Sequence, residues 1–137
     1  ILKIVSSEPI IDEQKQLKKL NILIVEDDES SNELLTLMVH DFAIEIMSVT
    51  NGKDAVEACK NNPDIDLVLM DIQMPNMNGY EATKQIRGFN KEVIIIAQTA
   101  FALAGDKEKA ISKGCNDYIS KPIKKSELEH LIKKQFL

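Results

Sequence analysis

No apolar run in this sequence approaches the roughly 20 residues needed to cross a bilayer, and no basic stretch leads into an apolar one as in a secretory leader. These two absences make a cytoplasmic location the expectation, in a parent chain that could itself be membrane-anchored. The first residue is Ile1, which reads as excision from something longer. Cysteine is scarce: Cys59 and Cys115 lie far apart without metal-ligand spacing, as expected of two buried free thiols in a reducing compartment. No Lys/Arg stripe is present to neutralise phosphates. With a net charge of −5 this argues against nucleic acid as a direct partner. The densest basic residues, Lys121, Lys124, Lys125, Lys133 and Lys134, surround Glu127 and Glu129 and read as a solvated helix face. Internal repeats and low-complexity segments are also missing.

What is present is 137 residues with 44% apolar and 28% charged side chains, the make-up of one globular domain with a real core. Residues 1–19 stand apart. Ile1 to Val5 would suit a short strand, but Ser6-Ser7-Glu8-Pro9 breaks it and a polar Gln/Lys stretch follows, as in a linker or the tail of a preceding domain. From residue 20 to 137 five strands are expected to alternate with five helices: Asn21 to Val25, Ile44 to Val49, Ile65 to Met70, Val93 to Ala97, and Tyr118 to Ile119. The first, third and fourth are nearly all apolar, as in parallel strands covered on both faces, and the second alternates as an edge strand would.

Ser30 with Glu33, Asn78 with Glu81, and Ser126 with Glu129 have capping-box spacing for the first, third and fifth helices. Asn51-Gly52 opens the second, and Pro63 lies beyond its end. Gly88 and Gly114 stand where a left-handed residue would stop the third and fourth. Leu34, Leu37 and Met38, and likewise Leu128, Leu131 and Ile132, form candidate core stripes. Five such units imply a parallel sheet with right-handed crossovers and helices on both faces, a doubly wound three-layer α/β/α fold.

In an open α/β sheet, ligands sit beyond the carboxyl ends of the strands where strand order reverses. With flavodoxin-like order 2-1-3-4-5 that crevice lies between the first and third strands, which end in Glu26-Asp27-Asp28 and in Asp71. Two carboxylates about 4 Å apart repel by roughly 4 kcal/mol at an effective dielectric near 20, so the cluster calls for a multivalent cation. A hard ion held by few carboxylates plus water fits Mg²⁺. His40 and His130 read as solitary helix-end residues. A phosphoryl group on Asp71 would need cation and hydroxyl partners for its oxygens, and Thr99 and Lys121 stand at the next two strand ends. A cis bond at Lys121-Pro122 would aim the lysine inward.

From about Leu20 to Phe136 the chain resembles a response-regulator receiver domain of bacterial two-component signalling. The resemblance rests on Asp27-Asp28, on Asp71 with Met74-Pro75 and Gly79, on Thr99-Ala100, and on Tyr118 through Lys121-Pro122. It implies that Asp71 accepts the phosphoryl group, and that Asp27, Asp28, Asp71 and the Gln73 carbonyl hold Mg²⁺. It further implies that Thr99 and Lys121 bind phosphoryl oxygens and that Thr99 and Tyr118 form the switch. The wording of residues 99–106 and 114–123 is most similar to receivers of hybrid sensor histidine kinases; only Gln98, polar at the end of the fourth strand, departs from expectation.

The resemblance implies transfer from a phosphohistidine of a histidine kinase or histidine phosphotransfer domain, with the isolated domain catalysing only its own phosphorylation and dephosphorylation. Output would pass through the face of the fourth helix, fifth strand and fifth helix, which would also serve a homodimer. A free-standing single-domain regulator is the alternative context. An aspartate-nucleophile phosphatase of the haloacid-dehalogenase type would want a second acid two residues after the nucleophile, where Gln73 stands. A docking-only pseudo-receiver would lack the acceptor or the lysine. A phosphocarrier built on His40-Asp41 conflicts with the strong β alternation.

Overall fold

The computed structural model describes residues 18–100 and 103–137. The tail reading for residues 1–17, including the strand at Ile1 to Val5, lies outside the described residues. The strands are β1 (Leu20–Val25), β2 (Ala43–Val49), β3 (Leu67–Asp71), β4 (Ile94–Thr99) and β5 (Asp117–Ser120). The helices are α1 (Glu29–Val39), α2 (Gly52–Asn61), α3 (Gly79–Arg87), α4 (Asp106–Ser112) and α5 (Lys125–Phe136). All strand pairs are parallel, in the order β2-β1-β3-β4-β5. This is the flavodoxin-like doubly wound fold expected from the alternation.

Two apolar layers hold it. Leu23, Val25, Val68, Met70, Ile95 and Ala97 meet Ala55, Ala82, Ile86 and Ala110 of α2, α3 and α4. On the other face Ile22, Ile24, Leu67, Leu69 and Ile96 meet Leu35, Val39, Leu128 and Ile132 of α1 and α5. The alternation carries a consequence past the strand ends. Glu26 continues the parity of Ile22 and Ile24, Asp71 that of Leu67 and Leu69, and Gln98 that of Ile96, so all three belong to the α1/α5 side.

Several local expectations shift. α1 is capped by Asp28, whose Oδ2 accepts from Ser31 N at 2.9 Å, not by Ser30. Its core stripe is Leu35 and Val39, while Leu34 and Leu37 are 51% and 71% exposed. Two apolar stripes were written on this helix, and its tilt across the sheet selects between them. α5 starts after Lys124 without a side-chain cap, which leaves Ser126 inside the first turn, and His130 lies mid-helix. Gly88 is right-handed at φ −65°, so the left-handed residue expected there is absent. Gly114 does adopt φ 108°, against the Arg87 side chain. Asn51 and Asn78 cap α2 and α3 as their spacing predicts. The Arg87 guanidinium binds the carbonyls of Gly114, Asn90 and Val93 and the Asn116 amide oxygen, tying the end of α3 to the turns before β4 and β5.

Candidate functional site

β3 ends in a carboxylate that its own strand buries: Asp71 is 1% exposed. A buried ionised carboxylate needs compensation, and two groups supply it. The Gln73 N–H donates to Asp71 Oδ1 at 3.0 Å. Lys121 Nζ lies 3.5 Å from Asp71 Oδ2 and 2.9 Å from Glu26 Oε1. Glu26, itself 1% exposed, also accepts from the Asp28 N–H at 3.1 Å. Lys121 thus bridges the ends of β1 and β3 from the far end of β5, and the Lys121–Pro122 bond is cis. Burial lowers the lysine pKa, but the hydrogen bond to Glu26 and the field of Asp71 outweigh it, so the ammonium is held more firmly than usual.

Glu26, Asp27 and Asp71 each present a carboxylate oxygen within 4.8 Å of the others. With one lysine for three acids the site carries excess negative charge, and all-oxygen donors suit a hard divalent cation. Asp28 is placed differently: its Oδ2 accepts from Ser31 N and from Ser31 Oγ at 2.8 Å, and these bonds lower its pKa. Glu26 takes the place in the acid cluster that Asp28 was expected to hold. The signal was in the sequence, because strand parity points Glu26 to the Asp71 side and Asp28 has the i, i+3 spacing of a cap to Ser31.

Thr99, 7% exposed, ends β4, and its carbonyl accepts from Lys121 N at 2.7 Å. Gln98 pairs with Asp71 in register and accepts from Ile72 N. Its side chain is fully buried, yet neither amide atom has a hydrogen-bond partner. It borders a cavity of about 410 Å³ lined also by Leu34, Met38, Lys121, Pro122 and Ile123. Tyr118 is half-buried against the α2–α4 layer. The two cysteines are buried free thiols as expected, and burial pushes each up to about 11.

Residues 22–133 match the model of the response regulator receiver domain. The chain belongs to that family. Hybrid signal transduction histidine kinase G of Dictyostelium discoideum is 40% identical over 120 residues, covering 84% of this chain and 4% of that protein. The histidine-protein kinase BarA of Escherichia coli is 36% identical over 126 residues, 90% of this chain and 13% of the relative. The chain therefore spans a small part of the curated relatives it matches. Among solved structures, a co-crystal of the Saccharomyces cerevisiae phosphotransfer protein Ypd1 with the receiver domain of Ssk1 gives a TM-score of 0.81. That match is 35% identical and covers 88% of this chain and 91% of the other. The receiver of a Pseudomonas aeruginosa sensor histidine kinase, described with magnesium in its active-site cleft, gives 0.77 at 34% identity over 86% and 98% of the two chains.

Burial pushes the Asp71 carboxyl of this receiver up to about 6; the Gln73 N–H opposes the rise, Glu26 adds to it and Lys121 reduces it. A folded-state value above the ordinary carboxylate value of about 3.9 means the native state binds this proton more tightly. Its contribution to stability is complete below about pH 4 and is lost as pH rises through about 6. In magnesium-free buffer, Asp71→Asn should therefore be more stable than the wild type at pH 7.5 by about 3 kcal/mol. Denaturant melts should show the gap closing as pH falls toward 4; a gap that widens on acidification would contradict this account.

Proposed function

We propose that Asp71 receives a phosphoryl group from a phosphohistidine, with Glu26, Asp27, Asp71 and the Gln73 carbonyl forming the Mg²⁺ site. Asp28 is left as a helix cap in this reading. The observation that carries it is the Asp71 carboxylate, buried, facing Lys121 at 3.5 Å and gathered with two further acids. When bound, Mg²⁺ would neutralise the cluster and the incoming phosphoryl oxygens. An Asp71 oxygen attacks phosphorus, the P–N bond breaks, and the imidazole nitrogen leaves with the electron pair. Lys121 is close enough to meet an equatorial oxygen, and Thr99 offers a hydroxyl from the neighbouring strand end. Charge added at Asp71 would then draw on Thr99 and bias Tyr118, altering the α4–β5–α5 face, where a second copy could pair.

The wider setting we infer is the cytoplasmic receiver of a hybrid sensor histidine kinase, exchanging phosphoryl groups with a histidine phosphotransfer domain. The identities to hybrid kinases support the first part, and the receiver–phosphotransfer co-crystal supports the second. No described helix is long and apolar enough to cross a membrane. Leu34 of α1 is exposed and lines the cavity that Glu26 and Lys121 also border, which gives a donor an apolar surface to meet beside the acids. Incubation with a small acyl-phosphate donor and Mg²⁺ should add one phosphoryl by mass to the wild type and none to Asp71→Asn. No gain, or a gain that survives the substitution, overturns the assignment.

A further inference from the structure

One hydrogen bond near the site has no part in the chemistry above. The amide N–H of Ala100, immediately after Thr99, donates to Gln73 Oε1 at 3.1 Å. Gln73 is two residues past Asp71 and its own N–H is already held by Asp71 Oδ1. The side chain therefore spans from the exit of β3 to the exit of β4, across the mouth in which Asp71 lies. Gln73 is exposed, so this bond contributes little to the core, and its effect is local: it occupies a backbone donor at the rim of the acid cluster.

An anion built on Asp71 carries several oxygens that seek donors, and charge-assisted hydrogen bonds are roughly twice as strong as neutral ones. The Ala100 N–H is engaged only by a neutral amide oxygen. We propose that Gln73 is a positioning residue that acts as a latch. It holds the Ala100 N–H, and with it the exit of β4, in the resting arrangement until a phosphoryl oxygen competes for the same donor. The role goes beyond phosphoryl acceptance, and it rests on the reading of Asp71 as the acceptor. The latch makes the phosphorylated arrangement harder to reach by about the worth of one neutral hydrogen bond, a factor of about five in an equilibrium. A longer-lived or more readily formed switched state would then follow from changes at one exposed side chain, without touching acid, lysine or threonine.

The test uses Gln73→Met, similar in reach but without the amide acceptor, and Gln73→Glu, which keeps an acceptor. Beryllofluoride, a non-transferable stand-in for the phosphoryl group on a carboxylate, is titrated at saturating Mg²⁺ and followed by amide NMR. The latch predicts an apparent Kd about fivefold lower in Gln73→Met and no gain in Gln73→Glu. Before any ligand is added, the Ala100 amide proton should move upfield in Gln73→Met and downfield in Gln73→Glu, whose carboxylate is the stronger acceptor. An unchanged Kd in Gln73→Met, an equal gain in Gln73→Glu, or an Ala100 resonance that stays put in Gln73→Met overturns the latch. Failure of the wild type to take up beryllofluoride at all would instead refute Asp71 as acceptor, and the latch with it.

Discussion

Lys121→Ala is expected to slow phosphorylation of Asp71 by a factor on the order of 10² to 10³, the usual consequence of removing one fixed donor from a developing anion. The same change should also be visible without any donor. Lys121 Nζ is shared by two carboxylates that are each 1% exposed, 2.9 Å from Glu26 and 3.5 Å from Asp71. Taking it away leaves two buried acids facing each other with no cation, a repulsion of roughly 4 kcal/mol at an effective dielectric near 20. Breaking a buried ion pair by deleting one partner costs about 3–5 kcal/mol, and proton uptake by the acids will absorb part of that. The melting temperature of Lys121→Ala in magnesium-free buffer at neutral pH should therefore fall below the wild type. Added Mg²⁺ should recover more of the loss than it adds to the wild type, since it supplies the missing positive charge. A variant that melts like the wild type without Mg²⁺ would mean that Lys121 does not hold the two acids together.

The second large effect is expected at a residue with no polar side chain. Gly79 is the first residue of α3 and its N–H donates to Ile72 O at 3.1 Å, which brings the start of this helix directly under the end of β3. A Cβ at this position would fall against the Asp71 carbonyl and 2.9 Å from Ile72 Cα. Both are backbone atoms, so no rotamer change relieves the clash. The entropy gained by replacing glycine, about 0.4–1 kcal/mol, acts in the opposite direction but is smaller than the strain. Gly79→Ala should lose about 3 kcal/mol of stability, the upper end of overpacking costs, or roughly 10 °C in melting temperature. Because the displaced atoms carry Asp71, Mg²⁺ affinity should weaken together with stability. A soluble, fully stable alanine variant would show that β3 and α3 approach less closely than described. Gly114→Ala offers a contrast: its difficulty is the left-handed φ of 108°, far from the acids, so it should cost stability and leave Mg²⁺ binding alone.

Much of this protein was legible in the chain itself. Continuous apolar runs at β1, β3 and β4 are of strand length, bounded by turn residues and rich in β-branched side chains, which reads as strands buried on both faces. Helical stretches between them require crossovers, so the doubly wound sheet follows from pattern and length together. That topology places the β1 and β3 ends side by side, which is why Asp71, the neighbouring acids, Thr99 and Lys121 could be named as one group. Asn51 and Asn78 were readable as caps because an N-cap bond depends only on residues three apart.

Tertiary structure decided what local pattern leaves degenerate. Both Leu34/Leu37 and Leu35/Val39 satisfy helical spacing, and the crossing of α1 over the sheet buried the second pair. Four consecutive acids follow β1, and only the pleat and the start of α1 separate the roles of the first three: Glu26 turns inward to Lys121, Asp27 joins the cluster, and Asp28 is drawn to Ser31. The Gln73–Ala100 bond joins residues 27 apart in sequence, and no spacing rule reaches that far. Sequence sets which side chains can alternate, cap and pair within a few residues. Which of several equivalent choices is taken depends on where the next layer comes to rest, because burial and Coulomb energy are fixed by distances in space and not along the chain.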